Sequence, residues 1–262
     1  MSRSRLLILS PHSDDTAFSL GGLLAAGRAF AGWERHQLTL FVHSQHAPYA
    51  PHLTEASAIT AVRCREDEAF CAAHEITLTR AGMTETLLRG YASKEAIYAP
   101  RAPETDPLFA PTCRVVKEAT AGFDLVVAPL GVGGHVEHIL VREACRRSGS
   151  LALFYEDLPY AGDFTNDALD RFGATAMPGA QCRAFVVEDA MDRKCERLLD
   201  YASQVAPADL EKVIAYSRRR RPGPAIAWSA PPAPPESSGG AVEVLWGPAE
   251  LLARADLTEA LP

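Results

Sequence analysis

The chain reads as an α/β protein of Rossmann-like architecture, a mostly parallel sheet with helices on both faces, followed by a C-terminal elaboration. Three observations lead there. Short apolar runs alternate with longer segments of helical period, the pattern of a parallel sheet built from strand–helix units. The first run, Leu6-Leu7-Ile8-Leu9, passes directly into a turn that holds His12, Asp14 and Asp15. A second run, Leu125-Val126-Val127-Ala128, passes into a glycine-rich turn that holds His135 and His138. Ligands of open α/β sheets bind beyond the carboxyl ends of strands, so both turns stand where a site is expected.

In order along the chain, residues 5–10 read as a strand, 16–30 as a helix and 36–43 as a second strand. His43, His46, Pro48, Pro51 and His52 then fall in one stretch whose composition argues for a loop. Residues 54–74 are helical by period and 75–79 return as a short strand. Pro100, Pro103, Pro107 and Pro111 interrupt the next stretch, leaving a helix over 112–120. A buried strand over 123–128, a helix over 136–147 and a strand over 151–155 repeat the alternation. Beyond residue 159 the pattern changes to a strand over 181–187 and helices over 189–203 and 207–219. Residues 221–240, rich in Pro, Ser and Gly, read as a surface loop, and 241–246 as a closing strand. With no internal repeat or boundary, one domain over 1–262 with a core at 5–204 is expected.

Bulk properties bound the function. Twenty-six basic against 33 acidic residues give a net charge of −7, and no dense basic face is present, which argues against nucleic acid as a partner. Arg218 to Arg221 read as a solvated helix end. No apolar run is long enough to span a bilayer, and only four apolar residues follow Arg3 and Arg5, so neither membrane insertion nor a secretory signal is expected. Six cysteines without a Cys-x-x-Cys pair fit a reduced, cytoplasmic protein. Oligomeric state stays open, a homo-oligomer included.

The chemistry rests on the two turns. An isolated Asp-Asp after a strand is commonly a helix N-terminus, one acid capping free amides and the other complementing the dipole. That account leaves His12, His135 and His138 unexplained. In the functional reading His12 and Asp15 bind a metal while Asp14 stays off it as general base. His135 and His138, three apart at a helix start, can face the same way. One would complete a His-Asp-His set with an open position, as catalytic zinc requires; the other would polarise a carbonyl or hold an oxyanion. Gly21 and Gly22, unfavourable inside a helix, point to close packing of that helix on the sheet.

Pro11-His12-Ser13-Asp14-Asp15, Gly21-Gly22 and Gly134-His135-Val136-Glu137-His138 together resemble the LmbE/PIG-L-like zinc-dependent N-deacetylases. That family shows Pro-His-x-Asp-Asp early and Gly-x-His-x-x-His later. Weaker similarities at 65–69, 85–91, 155–160, Lys194 and 201–204 extend the resemblance over most of residues 5–204. It implies that His12, Asp15 and His138 hold zinc, with Asp14 the general base. It further implies that His135 stabilises the tetrahedral intermediate. Arg65 and Glu85 match positions that contact a sugar-like substrate, while His43, at a strand end, is a candidate for the pocket rim. Glu156 and Asp157 are candidates for hydroxyl binding or for support of a zinc-bound histidine. Two departures stand out. Thr16 replaces the usual Glu or Ala after the Asp pair, and Val136-Glu137 replaces Pro-Asp between the histidines.

The expected function is hydrolytic removal of an N-acyl group, acetyl foremost, from a small amino sugar or glycoconjugate. Zinc is the expected cofactor, although His and carboxylate ligands accept other divalent metals. One alternative keeps the mechanism and moves it to a natural-product or acyl-lipid amide. Another is a non-catalytic Rossmann-like binding module, disfavoured because no Gly-x-Gly-x-x-Gly follows the first strand.

Overall fold

Strand β1 (Arg5–Ser10) is the keystone of the sheet in the computed structural model, which describes residues 3–27, 29–91, 93–221 and 240–254. It pairs in parallel with β2 (Glu34–His43) on one side and with β4 (Leu125–Pro129) on the other. β3 (Thr77–Thr84) extends the sheet beyond β2, and β5 (Ala152–Tyr155) beyond β4, again in parallel. Leu6 to Leu9 and Leu125 to Ala128 are shielded on both faces. That is why these strands are continuous apolar runs rather than alternating ones.

Helices α1 (Asp15–Ala26), α2 (Ala56–Ala73), α3 (Lys94–Tyr98), α4 (Phe109–Ala119) and α5 (Val136–Ser148) connect the strands. The chain steps from β1 to β2 in one direction and from β4 to β5 in the other. Right-handed crossovers therefore put α1 and α5 on opposite faces and open a crevice between the ends of β1 and β4.

The C-terminal part completes the sheet in the antiparallel sense. Helix α6 (Asn166–Ala176), strand β6 (Gln181–Val186), helices α7 (Met191–Leu199) and α8 (Pro207–Arg219), strand β7 (Val242–Gly247) and helix α9 (Ala249–Arg254) come after β5. The closing strand lies between β5 and β6, giving the order β3-β2-β1-β4-β5-β7-β6. Buried charges hold this part in place. Glu156 accepts from Tyr216 Oη (2.5 Å), Trp246 Nε1 (2.9 Å) and Arg220 Nη2 (2.7 Å). Glu243 on β7 pairs with Lys194 Nζ at 2.6 Å and also accepts from the Gly22 N–H at 2.8 Å. A Cβ at Gly22 would stand 2.8 Å from that carboxylate, which is the close approach the glycine pair requires.

Several boundaries differ from expectation. α1 stops at Ala26 because Gly27 takes the left-handed conformation and its N–H closes on Leu24 O. β3 runs through Thr84, longer than the sequence suggests. α6 has no counterpart among the expected elements, although Thr165 caps it by accepting from the Ala168 N–H. Most of the Pro-rich 221–240 segment lies outside the described residues. Among the described residues no helix is long and apolar enough to cross a membrane.

Between α2 and the sheet, Asp67 accepts from Thr39 Oγ1 and Gln37 Nε2, each at 2.8 Å. Burial raises its carboxyl to about 7 despite these bonds and the nearby Arg80. The folded protein thus holds a proton that the unfolded chain releases, so this group's contribution to stability falls as pH rises from about 4 to about 7. Asp67→Asn should flatten that slope, which urea midpoints measured from about pH 5 to about pH 8 would read directly; parallel curves for both proteins would refute it.

Candidate active site

The turn after β1 folds back on itself. Asp15, the first residue of α1, accepts from the His12 N–H through Oδ2 at 2.7 Å. The same oxygen lies 3.2 Å from His12 Nδ1, and Oδ1 lies 3.4 Å from His138 Nε2. A carboxylate and two imidazoles from two strand ends therefore converge, all nearly buried. His138 Nδ1 is engaged with Asp157 Oδ1 at 2.6 Å, and Asp157 also accepts from the Val132 N–H. That leaves His138 Nε2 buried without a hydrogen-bond partner, facing a carboxylate. An unpartnered nitrogen lone pair beside an anion calls for a cation between them, and the donor set suits zinc. Burial raises Asp15, but His138 and His12 outweigh it and hold the carboxyl below its ordinary value. Burial likewise depresses His12, but its bonds to Asp15 and Glu137 carry it well above the ordinary value.

Asp14 occupies the N-cap position of α1, yet its side chain makes no capping bond. It turns instead into the cavity, where Arg63 Nη2 approaches Oδ1 at 3.5 Å. Helix capping therefore does not explain the Asp pair.

From the other strand end, His135 caps α5, its Nδ1 accepting from the Glu137 N–H at 3.3 Å. That bond assigns the ring proton of the neutral imidazole to Nε2. Burial, with His12 and His138 close by, pushes His135 well below the ordinary histidine value. His12, His135 and His138 can each offer a ligand atom within 4.8 Å of the others. Glu137, read in the sequence only as a departure from Asp, bridges the site. Its Oε2 meets His12 Nε2 at 2.8 Å, and its Oε1 accepts from Arg89 Nη2 at 3.0 Å. Arg89 is itself anchored on Asp106.

His12, Asp14, Asp15, Arg63, His135 and Glu137 line a cavity of about 410 Å³ above the sheet, together with Glu85, His46, Tyr98 and Tyr160. No family model matches the chain. It is, however, 34% identical over 232 residues to a 2'-N-acetylparomamine deacetylase of Streptomyces fradiae, covering 85% of this chain and 81% of that protein. The chain belongs to the LmbE/PIG-L-like N-deacetylases. Two solved structures share the fold of this deacetylase. The zinc-inhibited form of teicoplanin deacetylase Orf2 superposes with a TM-score of 0.67 at 20% identity, over 93% of this chain and 97% of that one. GalB, a 4-carboxy-2-hydroxymuconate hydratase from Pseudomonas putida, does so with 0.61 at 13%, over 99% and 100%.

The positions expected to contact substrate divide. Glu85 is buried in the cavity wall, accepting from Arg63 Nη1 at 2.7 Å and from Ser44 Oγ at 2.5 Å. Arg65 is exposed and does not line the cavity; Arg63 takes that place. Two positions along a helix rotate a side chain by about 200°, so only one of the pair can face the site. His43 is exposed at the end of β2 beside Gly82 and is likewise absent from the lining, where His46 stands instead. In the deacetylase assay Arg63→Ala should lower kcat/KM by about 10- to 100-fold, the worth of one hydrogen-bonded charge. Arg65→Ala should leave it within about twofold; equal losses would return Arg65 to the site.

Proposed function

We propose that this chain removes an N-acyl group, acetyl foremost, from an amino sugar or glycoconjugate by hydrolysis. The observation that carries the reading is the unpartnered His138 Nε2 facing Asp15 and His12, with Asp14 free of the helix cap beside them. His12, Asp15 and His138 would hold zinc or another divalent metal, which when bound supplies Lewis acidity and acidifies water. Asp14 accepts the proton of the attacking water, and Arg63 fixes the direction of its carboxylate. His135 donates from Nε2 to the oxygen that becomes negative in the tetrahedral intermediate. The departing amine takes from Asp14 the proton that Asp14 received from the attacking water. Glu137 and Asp157 hold the imidazoles of His12 and His138 by their second nitrogens, the usual support for a metal-binding histidine.

Similarity to the 2'-N-acetylparomamine enzyme supports an amide on an amino sugar. A cavity whose wall carries Asp14, Glu85, Glu137 and Asp209 does not suit a polyanion, which speaks against nucleic acid. The six free cysteines support a cytoplasmic setting.

Metal analysis and fluorescamine detection of released amine test the assignment together. Asp14→Ala should keep about one metal per chain and lose turnover, whereas His12→Ala should lose both. Glu137→Ala should weaken metal binding by about 10- to 100-fold. Equal metal content in the Asp14 and His12 variants, or release unaffected by chelator, would overturn the assignment.

A further inference from the structure

The cavity wall is of two kinds, and they meet at the reacting centre. On the side of Asp14 the groups are charged: Arg63 reaches Asp14 at 3.5 Å and joins Glu85 at 2.7 Å. On the side of His135 they are rings. Tyr98 meets the His135 imidazole edge-on with centroids 5.4 Å apart, and Tyr160 stands 5.5 Å from His138 and 6.0 Å from Tyr98. Both tyrosines line the cavity, where their rings offer apolar surface to a ligand. Ile97, buried on α3 next to Tyr98, also lines the cavity.

Resting on the deacetylase reading, we infer that Tyr98 and Tyr160 form the acyl subsite and limit the acyl group to about acetyl size. An N-acyl amino sugar has one hydroxyl-rich end and one apolar end, with the amide between them. With the amide carbonyl between Asp14 and His135, hydroxyls on the Arg63–Glu85 side meet charged hydrogen-bonding partners. The acyl carbons then lie against the rings, where apolar contact is favourable. The opposite orientation would trade those charged partners for aromatic ring surface, at a cost in hydrogen bonds. The ring wall cannot retreat. Gly133 holds φ at +87° directly behind Tyr160, and even a Cβ there would come within 2.7 Å of the tyrosine's own Cβ. Tyr98 is braced against Tyr160 in turn. An acyl chain longer than acetyl therefore has nowhere to extend on this side.

The test is kcat/KM for amine release by the metal-loaded enzyme from acetyl, propionyl, butyryl and hexanoyl amides of glucosamine and of paromamine at its 2'-amine. Wild type should favour acetyl over butyryl by about tenfold or more, the discrimination that extra methylenes allow. Tyr98→Ala should raise the butyryl-to-acetyl ratio by about tenfold or more, and Tyr98→Phe, which keeps the ring, should keep the wild-type ratio. Tyr98→Leu serves the same purpose with less loss of packing. A flat wild-type profile, or a ratio unchanged in both shortened variants, would overturn the acyl subsite while leaving the deacetylase intact. A shift between the two sugars rather than along the acyl series would reverse the orientation. Absence of release from every amide would instead overturn the deacetylase reading itself.

Discussion

Asp15 stands where two strand ends meet, its two oxygens 3.2 Å from His12 and 3.4 Å from His138. Those histidines are far apart in sequence, and only the parallel pairing of β1 with β4 brings their turns side by side. The site is therefore a property of the sheet. It exists when Leu6, Leu7 and Ile8 are in register with Leu125, Val126 and Val127, and a slip would separate its donors. Parallel strands buried on both faces supply that register through continuous apolar packing, which no local turn could do.

Around this centre the buried charges are arranged in separate, nearly satisfied groups. Asp157 and Glu137 each take one imidazole nitrogen, Arg89 and Asp106 close the second line, and Arg63 with Glu85 and Ser44 closes a third. Such groups are weak contributors to net stability, because desolvation offsets most of the attraction. Their value lies in orientation. A ring held at one nitrogen presents the other in a fixed direction, and that direction is what separates a site from a cluster of polar residues.

Much of this is legible in the chain itself. The strand–helix alternation and the two ionisable turns arise from local patterns, and local patterns are what a sequence displays. Arg63 is hidden for a specific reason. The buried face of α2 runs through Ile59, Arg63, Glu66, Asp67, Phe70 and Cys71, so half of the stripe that faces inward is charged. A search for apolar period discards such positions, although counting turns from Ile59 and Phe70 would have selected them. The antiparallel insertion of β7 between β5 and β6 is hidden for another: strand order is decided by long-range pairing, and the run over 241–246 fits an edge as well as an interior position. Glu156 shows the same limit. Two adjacent acids after β5 look alike, yet Asp157 turns to His138 while Glu156 turns to Arg220, Tyr216 and Trp246.

The hydratase GalB and teicoplanin deacetylase Orf2 share this fold, so the fold alone does not choose the reaction. Side chains at the strand ends do, and Glu137 shows how finely. The family's usual aspartate at this place ends one carbon nearer to its own backbone. With the longer side chain, Glu137 passes His135, which it meets only at 4.0 Å, and reaches His12 across the crevice at 2.8 Å. One methylene thus ties the second turn to the first through a hydrogen bond and enlists Arg89 to hold the carboxylate there. His135 accepts from the Glu137 backbone N–H and presents a neutral donor to the cavity. A replacement that reads as conservative in the sequence therefore divides support between the two imidazoles: the Glu137 carboxylate holds His12, and the Glu137 backbone N–H holds His135.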